Sequence, residues 1–150
     1  MKNKGFTLFV AMVVMGTVLL VAAGVVSLAA RQSLVSSSGR DSQYAFYAAD
    51  TGIECAIYWD VQNPSGISAF STTTGSQINC NNQTMTVGGT SVSTFTFNFN
   101  PDPYCTIVTV TKDVNGSTRI DSLGYNTCDS SNPRRVERGI KAVYGGGGGL

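Results

Sequence analysis

The sequence predicts an α+β protein in which one long N-terminal α-helix, its first half transmembrane, is packed on a small antiparallel β-sheet head. Three observations carry this reading. No charged side chain occurs between Phe6 and Ala30, and no proline occurs before Pro64. Beyond Pro64, Ser, Thr, Asn and Gly dominate, and apolar residues alternate with polar ones. Finally, the four cysteines, Cys55, Cys80, Cys105 and Cys128, are an even set without a CxxC pair, as expected of a disulfide-stapled head.

The apolar run FTLFVAMVVMGTVLLVAAGVVSLAA exceeds the roughly 20 residues a helix needs to cross a bilayer. It is too long for the apolar core of a cleaved secretory signal, which is about 7 to 15 residues, so retention in the mature protein is expected. Lys2 and Lys4 precede it and Arg31 follows, an arrangement that favours a cytoplasmic N-terminus and an outward head. Gly16 and Gly24 inside the run permit close approach of a neighbouring helix, or are ordinary membrane-helix glycines.

After Arg31 the chain turns polar but meets no helix breaker, so the helix is expected to continue over residues 31–60. Tyr44, Ala45, Ala48, Gly52, Cys55, Ala56 and Trp59 recur at steps of three and four, marking the face that packs on the head. Asn63-Pro64-Ser65-Gly66 closes the helix. Residues 61–144 are the expected β-rich head. Phe95, Phe97 and Phe99 alternate with Thr96 and Asn98, and Asn100-Pro101-Asp102-Pro103 ends that strand. Tyr104, Thr106, Val108 and Val110 form one face of the next, which runs into a tight Asn115-Gly116 turn with Ser117 to Leu123 returning. A last charged strand carries Val136, Ile140, Ala142 and Tyr144 in alternation, with Arg134, Arg135, Glu137, Arg138 and Lys141 beside them. Residues 145–150 read as a flexible Gly-rich tail.

A hairpin centred on Asn115-Gly116 brings Cys105 and Cys128 together at its open end, which leaves Cys55 and Cys80 to staple the helix to the head. A Cys55–Cys105 link is the competing connectivity. Disulfides imply an oxidising compartment, to which the apolar segment provides the route.

Composition narrows the function. Histidine is absent, which removes His-dependent hydrolases and His-ligated zinc, and no serine lies in GxSxG. A net charge of +1 with 13% charged residues provides no basic field for a nucleic-acid backbone. Asp50 and Glu54 share one side of the helix without an acid-base partner, and Asp113-Val114-Asn115-Gly116 suits a hairpin turn better than a calcium loop. Neither an enzyme activity nor a cofactor or metal is expected.

Lys4-Gly5-Phe6-Thr7-Leu8 resembles the KGFTL signature of class III signal peptides in type IV prepilins. A second stretch, Ala45-Phe46-Tyr47-Ala48-Ala49-Asp50-Thr51-Gly52-Ile53-Glu54, resembles the AFxAAExGxE run of minor pilins of the PilX type. The resemblance implies a leader over residues 1–5, removed by a prepilin peptidase between Gly5 and Phe6, with methylation of the new N-terminal Phe6. It also implies a polymerisation helix over residues 6–30, carrying Phe6, Leu8, Val10, Gly16 and Gly24. The subunit would sit in the inner membrane, meet the assembly platform, and then join other pilin-like subunits in an extracellular filament. Major pilins of this kind carry glutamate at the fifth mature position, where its carboxylate compensates a neighbour's buried ammonium. Val10 stands there, which points to a minor, initiating or tip subunit acting in assembly and adhesion. Two rival readings stay open: a pseudopilin of a type II secretion or DNA-uptake system, and a signal-anchored adhesin that never polymerises.

Overall fold

The structure is a computed structural model that describes residues 4–145; residues 1–3 of the expected leader and 146–150 of the expected tail lie outside the described residues. Helix α1 spans Lys4–Val61 without a break, and six strands follow: β1 (Gly75–Cys80), β2 (Gln83–Gly88), β3 (Val92–Asn98), β4 (Cys105–Lys112), β5 (Ser117–Tyr125) and β6 (Glu137–Gly145). Continuity of α1 follows from the absence of proline, which alone would remove a backbone donor and clash with the preceding turn. Lys4 and Gly5, expected in the leader, are already helical. At the far end Asn63 replaces the helix with a turn, its Oδ1 accepting from the Ser65 amide at 3.1 Å and its Nδ2 donating to Ile67 O at 2.8 Å.

Two compact units divide the chain, one through Gly39 and one from Arg40 onward. In the first, every side chain from Phe6 to Ser36 is exposed. In the second, the Arg40–Val61 part of α1 lies on an antiparallel meander ordered β3-β4-β5-β6, and β1 pairs with β2 in a separate hairpin. Gln83 links the two sheets, since its amide both donates to Asn98 O at 2.7 Å and accepts from Asn98 N at 3.3 Å.

The helix approaches the sheet closely because both surfaces are small there. Ala45, Ala48, Ala49, Gly52 and Ala56 are buried on α1. A Cβ placed on Gly124 of β5 would lie 2.0 Å from Ala45 O, and one on Gly52 would lie 2.5 Å from Ser122 Oγ. Ser122 donates to Ala49 O at 2.7 Å, so the hydroxyl buried under the helix is satisfied. Ala49 and Ile53 extend the buried stripe beyond the residues expected from the sequence.

Further along, the core is aromatic. Phe70, Phe95 and Phe97 stack at 5.9 and 6.4 Å between ring centroids, among Ile53, Ile78, Val87, Val108, Val110 and Ile120. The β4–β5 hairpin is the expected one: Gly116 adopts φ 77° and its amide donates to Asp113 O at 3.0 Å. Phe99 and Tyr104 lie just outside β3 and β4 rather than within them, and Tyr104 instead stacks on Tyr44 of α1 at 4.5 Å. Gly145, expected to begin the tail, is the last residue of β6 and pairs with Ser117.

Candidate functional site

The most distinctive surface is the apolar length of α1. Its most hydrophobic stretch has a mean hydropathy of 2.6 and no part of it is buried, so the helix is long and apolar enough to cross a membrane. Phe6, Leu8 and Val10 are exposed, and a Cβ on Gly16 or Gly24 would meet nothing within 4 Å. Thr17 turns its hydroxyl inward, donating to Val14 O at 2.9 Å, which satisfies the polar group within the helix itself. Chemically this surface offers shape and dispersion contacts only: lipid tails or another apolar helix can cover it. Gly5 and Phe6, the expected processing junction, both lie within the first turns of α1.

Within the head, Cys55 of α1 is bonded to Cys80 at the end of β1, with 6.1 Å between their Cα atoms. The bond clips the helix to the β1–β2 hairpin, and Trp59 one turn later donates to Asn79 O at 3.1 Å. The expected second bond is not formed: Cys105 and Cys128 are free thiols. The hairpin does bring them to the same end, as its register sets Cys105 opposite Tyr125. Cys128, however, lies beyond the strand, where its amide donates to Pro103 O at 3.0 Å and its Sγ donates to Asn98 Oδ1 at 3.5 Å. Burial, together with a hydrogen bond to Cys128, pushes the Cys105 thiol up to about 12.

One buried charged cluster was not foreseen from the sequence. Asp60, one residue before the end of α1, has a side chain only 3% exposed and accepts from Lys112 Nζ of β4 at 2.5 Å. Tyr144 of β6 donates to its other oxygen at 2.6 Å, and Ser68 Oγ donates to the first. Burial alone would raise the Asp60 carboxyl, but the hydrogen bonds from Lys112, Ser68 and Tyr144, with the Lys112 charge, outweigh it and hold it below its ordinary value. Burial and the bond to Asp60 push the Tyr144 phenol well up. Lys112 also supplies a cation near the C-terminus of a helix that has no basic residue in its last turn. No motif signals this cluster, because its members come from four separate stretches of sequence.

Asp50 is half-buried and Glu54 exposed on the outer side of α1. Asp113 accepts from Ser117 Oγ at 2.8 Å within the hairpin turn. Among the described residues no three His, Cys, Asp or Glu side chains come together as a metal site would require. In comparison with known proteins, no family model, no curated protein and no solved structure matches the chain.

Proposed function

We propose that this chain is a non-enzymatic, type IV pilin-like structural subunit, made as a prepilin and acting as a minor, initiating or tip component in filament assembly and surface contact. The observation that carries the reading is the Lys4-Gly5-Phe6-Thr7-Leu8 junction set directly ahead of a long apolar helix. That helix runs through the junction from Lys4 and continues unbroken into the head-packing segment, the arrangement an apolar polymerisation rod needs. An apolar surface of this extent in water is costly, so it calls for lipid before assembly and for kindred helices afterwards. Val10 supports a position with no subunit above it, because a filament shaft would leave the next subunit's ammonium without a buried carboxylate.

Co-expression with a prepilin peptidase, followed by separation of membrane and sheared surface fractions, tests the reading. Cleaved protein in the sheared filament fraction supports it. Uncleaved protein confined to the membrane under the same conditions contradicts it and favours the signal-anchored adhesin. Quantitative mass spectrometry of the sheared fraction tests the minor role: a ratio far below that of a shaft subunit is expected, and abundance along the shaft would overturn it.

A further inference from the structure

We propose that Cys105 and Cys128 form a redox-active dithiol that closes and opens as a reversible clasp between two loops of the head, while Cys55–Cys80 stays a permanent staple.

The two loops are the turn between β3 and β4 and the connection between β5 and β6. Both are held at this end by hydrogen bonds that do not depend on a covalent link. Asn126 closes the neck of the longer loop: its Oδ1 accepts from Val136 N at 2.7 Å and its Nδ2 donates to Arg134 O at 3.1 Å. The Cys128 amide reaches across to Pro103 O, and Asp102 N donates to Phe99 O at 2.6 Å inside the shorter turn. Asn98 ties the pair together, since it is the register partner of Cys105 and its side chain accepts from Cys128 Sγ. These bonds hold the two cysteines at the same end of the head without a covalent link between them.

Their exposures differ, and that sets the order of events. Cys128 is exposed and Cys105 is buried. Thiol–disulfide exchange needs a thiolate at a reachable sulfur, so Cys128 is the point of entry. With a small-molecule disulfide as oxidant, the Cys128 thiolate attacks one sulfur, forms a mixed disulfide and expels a first thiolate. Cys105 Sγ then attacks Cys128 Sγ, breaking the mixed disulfide, and its proton passes to the second thiolate as that leaves. Two electrons pass from the pair to the oxidant, which leaves as two thiols. In the Cys55–Cys80 pair, by contrast, Cys80 is buried and Cys55 is partly buried, so neither sulfur is as open to a reductant as the exposed Cys128.

The clasp is independent of the pilin reading and is tested on the full-length protein in detergent. The protein is equilibrated with oxidised and then reduced glutathione under native conditions, alkylated, and mapped by peptide mass spectrometry, with hydrogen exchange measured in both states. Expected are a Cys105–Cys128 peptide after oxidation, its loss on mild reduction while Cys55–Cys80 persists, and at least several-fold slower exchange over residues 98–104 and 126–136 in the oxidised form. In Cys105→Ser protein, Cys128 should stop at the mixed disulfide with glutathione. Thiols that both remain alkylatable after oxidation would overturn the proposal. So would a Cys105–Cys128 bond that opens only together with Cys55–Cys80, or cross-linking between chains in its place.

Discussion

Individual residues decide how closely α1 meets the sheet and how its end is held. At Gly124 any side chain would collide with the backbone of Ala45 and Ala49, which cannot yield as a flexible side chain could. Gly124→Ala is therefore expected to cost about 3 kcal/mol or more, the upper part of the overpacking range, seen as a lower thermal midpoint by Trp59 fluorescence of the detergent-solubilised protein. A variant as stable as wild type would contradict the close approach. Asp60 provides a second test. Its carboxyl titrates below the ordinary value of 3.8, so its contribution is fully present above that value and is lost as pH falls through the lower, folded value. Asp60→Asn should destabilise by about 3 kcal/mol near neutral pH, since it leaves Lys112 half-enclosed without its counter-charge. The gap between wild type and variant, measured as thermal midpoints across an acid titration, should then close with acidification. A gap independent of pH would show that the ion pair contributes nothing.

At the scale of elements, the parts dictated by local rules were legible and the parts set by distant partners were not. The helix could be followed because nothing before Pro64 breaks it, and the β4–β5 hairpin because Asn115-Gly116 suits a turn requiring positive φ. The β1–β2 hairpin has a comparable signal in Asn81-Asn82, whose φ angles are 50° and 59°, between runs of alternating polar and apolar residues. That signal was hidden by a segment rich in Ser, Thr and Asn throughout. Asp60 could not be recognised as a buried anchor, because its helical position says nothing of Lys112 or Tyr144 folding over it. Cysteine spacing indicated which sulfurs approach each other but not that only Cys55 and Cys80 would be joined. Their bond ties β1 to α1 covalently, beside the Trp59 bond to Asn79 and the core contacts around Ile78. Cys55→Ser/Cys80→Ser protein is expected to lose about 2 to 4 kcal/mol, with exchange increasing first in Gly75–Gly88. Unchanged exchange there would mean that the bond does not anchor the hairpin.

For the whole molecule, division of labour follows from chemistry along the chain. One unit presents an exposed, mostly apolar helix surface from Phe6 to Ala30 that turns polar from Arg31; the other encloses an aromatic core, a satisfied ion pair and a disulfide, with polar loops outside. The first is suited to lipid or another apolar helix, and the second to water. In the proposed function, processing at the Gly5-Phe6 junction would join these properties by freeing the apolar rod from its basic leader. Intact-mass and N-terminal peptide mass spectrometry of protein purified from its native cells tests this most directly. A chain beginning at Phe6 with one added methyl group is the predicted result, and a mature protein that still carries residues 1–5 would contradict the account.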